Sequence, residues 1–152
     1  MKTNSLSRWQ QLIVLFAVAL LSFSAVHAAQ LLTLTPPEAQ TKLQAGDITL
    51  IDVRTPEEWR SSGTAPSAQQ IDLQDPDGAA GFAAKVLAAV HGDKTAPIAV
   101  ICRTGSRSSY AQRYLLAQGF TRVFNVSEGM SGSSAGPGWI ERGLPVKACT
   151  DC

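Results

Sequence analysis

Cys102 ends an apolar run, Ala99-Val100-Ile101, and opens a run of small and basic residues: Arg103, Thr104, Gly105, Ser106, Arg107, Ser108. A thiol attacks as its thiolate, and nearby cations and helix N-termini favour that form. Arg103 and Arg107 supply positive charge and forked donors that match tetrahedral oxyanions. Gly105 allows a tight backbone path. Thr104, Ser106 and Ser108 supply hydroxyl donors. Successive N–H groups of such a loop form an anion nest, and a following helix adds its positive end. The combination suits an anionic sulfur, or a small oxyanion held beside it. A core cysteine, the commonest fate of a free thiol, needs none of these neighbours.

The elements that must position this loop are legible in outline. Strands are predicted over 31–35, 48–54, 96–103 and 122–126, with a short one near Ile71. Helices are predicted over 36–46, 55–63, 81–90 and 108–120, and a short helical turn at 139–143. Thr55, Pro56 and Glu58 stand at the spacing of a capping box with proline in the first turn, and that cap is the use expected of Thr55 and Glu58. Strands and helices alternate, and the clearest strands are apolar along their whole length. The expected class is therefore α/β: a central parallel sheet of about five strands with helices on both faces. Ligand-binding loops of such sheets lie at the carboxyl ends of strands. Cys102 and Asp52 both fall there.

The chain has 152 residues and is 45% hydrophobic, which suits one domain. A formal net charge of +1 gives no basic surface for nucleic acid. The first 28 residues read as an export signal: Lys2 and Arg8 without an acid, an apolar run from Leu12, and the small-residue exit Val26-His27-Ala28. Cleavage after Ala28 would leave a domain over 29–148 and a tail over 149–152, in the periplasm and free of the membrane. The signal holds two of the 13 basic residues and none of the 12 acidic ones, so the mature chain is nearly neutral. Neither a metal nor a cofactor is implied.

Four segments, in order, carry a resemblance. "IDVRTPEEW" (51–59), "GTAPSA" (63–68), "CRTGSRS" (102–108), and "VFNVSEGM" with "GWIERGLPV" near the end resemble the corresponding motifs of single-domain rhodaneses, the sulfurtransferase family. Thr64 and Ser67 depart from the histidine and glycine common in the second motif, and the loop over 127–138 is longer than in the smallest members. The resemblance implies sulfane-sulfur transfer. Cys102 would take sulfur from thiosulfate or a persulfide, carry it as a persulfide, and pass it to cyanide or a thiol. Arg103, Thr104, Gly105, Ser106, Arg107 and Ser108 would bind the small anionic donor. Asp52 and Arg54 would brace the loop or pair with Glu58. Two other readings remain open. One is a non-catalytic persulfide carrier or binding module. The other is a cysteine-dependent phosphatase or arsenate reductase. A tyrosine-phosphatase loop has one residue more than the four (103–106) between Cys102 and Arg107, and the smaller loop here suits a sulfur atom.

The chain ends in a second thiol pattern, Cys149-Thr150-Asp151-Cys152. Two ligands do not make a zinc site, and a thioredoxin motif opens a helix, which a tail does not. The pair is expected as a disulfide or as a redox pair serving Cys102, with a redox protein as a further partner. The protein is expected to be a monomer. Asn125-Val126-Ser127 fits a glycosylation signal but falls at a strand end. Residues 92–95 lack the upstream glycine of a phosphate-binding loop, and His91 reads as a surface residue at a helix end.

Overall fold

The apolar runs become five short strands in the computed structural model, which describes residues 31–150 and 152. The export signal read over 1–28 lies outside the described residues. The strands are β1 (Leu32–Leu34), β2 (Thr49–Asp52), β3 (Gln69–Gln70), β4 (Ile98–Ile101) and β5 (Val123–Val126). All pair in parallel, in the order β1-β5-β4-β2-β3. Asp52 stands opposite Ile101 on one side and Gln70 on the other. β4, β2 and β3 thus reach the same carboxyl edge in register, and β4, which leads into Cys102, is the central strand of the five.

Helices α1 (Pro36–Ala45), α2 (Pro56–Ser62), α3 (Gly78–Ala89), α4 (Ser106–Ala117) and α5 (Gly138–Glu141) fill the connections. Their ends follow from local chemistry. Thr55 Oγ1 accepts the Glu58 N–H at 3.4 Å, and Glu58 Oε2 accepts the Thr55 N–H at 3.1 Å, closing the expected capping box of α2. Gly46 ends α1 in the left-handed region (φ 75°), and its N–H and that of Asp47 go back to Leu43 and Lys42 carbonyls.

Side chains alternate across the strands and bury both sheet faces. Ile51, Val100, Cys102 and Val123 pack with Phe82 and Val86 of α3 and Ala111 and Leu115 of α4. Leu50, Ala99, Ile101 and Val126 pack with Ala39 of α1 and with Trp139. Gln112 fixes α4 further. Its buried amide donates to the carbonyls of Leu32 and Val123 at 2.7 and 2.8 Å, tying the helix to the β1/β5 side of the sheet. Asn125 is buried in β5, so the glycosylation pattern is an interior strand end. His91 is exposed just past α3, with φ 54°.

The strands are shorter than the sequence reading, 49–52 and 98–101 in place of 48–54 and 96–103, and two helix starts also differ. Helix α4 begins at Ser106 rather than 108, and α3 at Gly78 rather than 81. Gly105 caps α4 in the left-handed conformation, with no side-chain cap, so the usual Ser, Thr, Asp or Asn signal is missing. Ser106, Arg107 and Ser108 therefore form the helix's first turn, not a loop.

Candidate active site

Cys102 follows the last residue of β4 and is wholly buried. Its sulfur accepts two hydrogen bonds: from the Gly105 N–H at 3.1 Å and from Ser108 Oγ at 3.3 Å. Ser108 is itself buried and also lies 3.1 Å from the Gly105 carbonyl. Its single proton serves either acceptor, so it follows charge onto the sulfur when the sulfur is anionic. The positive end of the 12-residue helix α4 lies at the same place. Thr104 and Ser106 are exposed, and among the described residues neither hydroxyl bonds the sulfur.

The path back to α4 depends on Gly105. It takes φ 89°, and a Cβ there would lie 2.0 Å from the Ser127 carbonyl oxygen. Gly129 meets the loop from the other side, where a Cβ would lie 2.4 Å from the Arg103 carbonyl oxygen. The Met130 and Ser131 N–H groups donate to the Cys102 and Arg103 carbonyls, each at 2.9 Å. The segment after β5 therefore clasps the cysteine loop through backbone contacts.

The cations divide their roles. Arg107 is bidentate to Glu58, with Nη1–Oε2 at 2.7 Å and Nη2–Oε1 at 2.6 Å. Arg54 is buried with Asp52. Its Nε reaches both carboxylate oxygens at 2.9 and 3.1 Å, and its Nη2 reaches one at 2.6 Å. The remaining Arg54 donors go to Ser62 Oγ at 2.7 Å and the Gly63 carbonyl at 2.6 Å. Arg103 is exposed and makes no ion pair among the described residues. It lines a cleft of about 250 Å³ with Arg54, Glu58, Ser61, Ser62 and Ser131. One alternative read for Arg54 is set aside here, and the capping role of Glu58 is extended. Arg54 pairs with Asp52 and not with Glu58, because the two are only two residues apart at a strand end and share one buried site. Glu58 does more than cap its helix, because α2 brings it against the first turn of α4.

The sequence pattern of the Rhodanese family, described as "Rhodanese-like domain", matches residues 35–135. The chain belongs to this family. A sulfurtransferase of Allochromatium vinosum is 30% identical over 102 residues, covering 67% of this chain and 80% of that protein. The solution structure of a polysulfide-sulfur transferase homodimer from Wolinella succinogenes matches with TM-score 0.59 and 27% identity, over 93% of each chain. A crystal structure of a protein from M. tuberculosis matches with TM-score 0.60 and 27% identity, over 77% of this chain and 97% of that one. The rhodanese-like α/β fold, with its five-stranded parallel sheet, is as the sequence led one to expect.

Two contacts around the candidate site of this rhodanese-like domain escape sequence reasoning. Glu58 and Arg107 are 49 residues apart, and no local pattern links them. Glu128 is buried and accepts from Gly138 N–H at 2.9 Å and from Arg142 Nε and Nη2 at 2.7 and 2.8 Å. The Arg142 guanidinium, followed by the Gly138 N–H, holds its carboxyl below the usual range. Glu128 thereby folds the 127–138 loop that clasps the cysteine loop. The only sequence signal was an isolated acid in a glycine- and serine-rich stretch.

The Arg107 guanidinium, with help from the Thr55 N–H and hydroxyl, holds the Glu58 carboxyl down to about 2. A depressed carboxyl contributes stability above its ordinary value near 4.5, and this is lost as pH falls from there toward about 2. Both partners are partly exposed, so the contribution is discounted to about 1–2 kcal/mol. Glu58→Gln is expected to cost that much at neutral pH in denaturant unfolding, with the difference from the parent shrinking as pH falls toward 2. A pH-independent difference would place the effect elsewhere.

Proposed function

We propose that this protein is an exported, periplasmic sulfurtransferase that carries sulfane sulfur as a Cys102 persulfide. The single observation that carries the reading is the sulfur of Cys102, buried at the end of the central strand with the Gly105 N–H and the Ser108 hydroxyl both aimed at it. The Gly105 N–H is fixed before reaction, and the Ser108 hydroxyl needs only to turn its proton from the Gly105 carbonyl to the sulfur, so negative charge on sulfur is stabilised with little reorganisation. The sulfurtransferase and polysulfide-sulfur transferase relatives support the same chemistry.

In this reading the Cys102 thiolate attacks the outer sulfur of thiosulfate. The S–S bond of the donor breaks, and its electron pair leaves with sulfite. Cyanide or a thiolate then attacks the terminal persulfide sulfur, and the electron pair of that bond returns to Cys102. A persulfide donor would load the same cysteine and release a thiol. Arg103, unpaired at the cleft, is the cation assigned to drawing in the anionic donor. Arg107 is assigned to holding the first turn of α4 in place through Glu58. The single domain over 29–148 would act as a monomer.

Mass spectrometry after incubation with thiosulfate tests the reading. A gain of one sulfur on the peptide carrying Cys102 is expected, removed by cyanide with formation of thiocyanate. A protein that stays unmodified with thiosulfate and with organic persulfides, or that releases phosphate from aryl phosphates instead, would overturn it. Ser108→Ala removes one donor to the anionic sulfur and is expected to slow thiocyanate formation by about tenfold or more. An unchanged rate would assign the charge to the backbone donor alone.

A further inference from the structure

Cys149 and Cys152 are joined as a disulfide, with Cα atoms 5.7 Å apart. The bond does little of what a structural staple does. It closes a ring of sequence separation 3, and a loop that short removes little freedom from the unfolded chain. The tail is held by other means: Thr64 and Lys147 exchange backbone hydrogen bonds at 2.9 and 2.8 Å, and Arg60 donates to the Cys152 carbonyl.

The surroundings of the disulfide are those of a reactive group. Both cysteines are partly buried at the wall of a cleft of about 340 Å³. The rest of the wall is made of Thr64, Ser67, Gln70 and Thr150, three alanines and one cation, Lys147. The Gln70 Nε2 donates to Cys149 Sγ at 3.0 Å and to Cys152 Sγ at 3.2 Å. Gln70 is the last residue of β3 and pairs with Asp52, which pairs with Ile101. The disulfide's donor therefore lies two strands from the Cys102 strand, on the same carboxyl edge, while Cys102 keeps its own separate donors.

We infer that the Cys149–Cys152 disulfide is a second sulfur site, one that exchanges with small-molecule thiols held in this cleft. A thiolate attacks one sulfur of the pair. The Cys149–Cys152 bond breaks, a mixed disulfide forms, and the electron pair leaves on the other cysteine. Gln70 lies within bonding distance of both sulfurs, so it donates to whichever one leaves. A second thiolate attacks the mixed disulfide at the small molecule's sulfur and releases the second cysteine. Two small thiols are oxidised to their disulfide, the tail pair gains two electrons, and the two protons pass from those thiols to Cys149 and Cys152. The site is independent of persulfide transfer at Cys102. A polar cleft of this size fits a small thiol rather than a protein surface.

The test uses the purified chain carrying Cys102→Ser, so that only the tail sulfurs react. It is mixed with glutathione, quenched with acid, alkylated, and the tail peptide is weighed at intervals. A glutathione adduct on Cys149 or Cys152 is expected to form and then give way to the dithiol. Gln70→Ala is expected to slow the first step by about tenfold, the worth of one hydrogen bond to a thiolate. Gln70→Glu, which puts a negative charge in the same place, is expected to slow it at least as much. Gln70 is exposed, so both variants keep the fold, checked by circular dichroism. Equal rates for the parent and the two variants would overturn the inference. So would a pair that stays oxidised in glutathione but is reduced by thioredoxin, which would assign the site to a protein dithiol.

Discussion

Replacing Cys102 with serine is expected to abolish sulfur transfer while leaving the domain folded. The hydroxyl is smaller than the thiol and fills most of its space, and the Gly105 N–H and Ser108 hydroxyl still find an acceptor. Stability should change by no more than about 1–2 kcal/mol. The chemistry should not survive. An alcohol is a far weaker nucleophile at neutral pH, and an oxygen does not hold a transferable sulfane sulfur. Thiocyanate formation is therefore expected to fall by roughly a thousandfold or more, with no sulfur gained on the 102-containing peptide. Parallel measurement of unfolding and turnover separates the two effects. Activity retained within tenfold of the parent would move the sulfur-carrying role away from this residue, and the tail cysteines would be the first place to look.

The largest loss of stability is expected from Asp52→Ala. Asp52 is fully buried and Arg54 is 1% exposed. The carboxylate takes the Arg54 Nε, Nη2 and backbone N–H, the last at 3.2 Å. Alanine would leave a guanidinium buried with its charge uncompensated. Breaking such a pair from one side costs about 3–5 kcal/mol, a large share of the roughly 5–15 kcal/mol that holds a domain together. Denaturant unfolding should show this loss, and the melting temperature should drop by more than about 10 °C. Sulfur transfer should fall too, because Arg54 lines the cleft and fixes Ser62 and Gly63 at the end of α2. The double replacement Asp52→Leu with Arg54→Met should recover much of the stability, since removing both charges leaves nothing unpaired. A single variant within about 1 kcal/mol of the parent would contradict this account of the pair.

What the sequence could convey depended on whether the signal was local. β4 is apolar along its full length, β2 and β5 are apolar but for Thr49, Asp52 and Asn125, and α2 announces itself through Thr55, Pro56 and Glu58. β3 was visible only as a vague strand near Ile71, because it consists of Gln69 and Gln70, both exposed, and exists through its pairing with β2. The start of α4 was read two residues late because a left-handed glycine caps it in place of a polar side chain. At the candidate site, the thiol, the glycine and the following helix could be read together from one short stretch. The division of labour among the arginines could not. Arg103, Arg107 and Arg54 are alike as letters, and their difference is set by carboxylates that the fold delivers: Glu58 from α2 and Asp52 from β2. Glu128 was invisible for a related reason. Its partner Arg142 lies on the far side of a glycine-rich loop, and only the folded loop brings them together.

The clasp between Arg103–Gly105 and Ser127–Ser131 has a consequence for how variants of this domain can arise. Each segment supplies a glycine that lets the other's backbone approach, and each supplies partners for the other's amides or carbonyls. Neither can change length or shape alone. The two behave as a single unit of inheritance split across the chain, so a loop of another size grafted in from a related domain would have to travel with its matching second half. Diversification of the loop is thereby channelled outward, to the exposed side chains of Arg103, Thr104 and Ser106, where substitutions meet solvent rather than the opposing backbone.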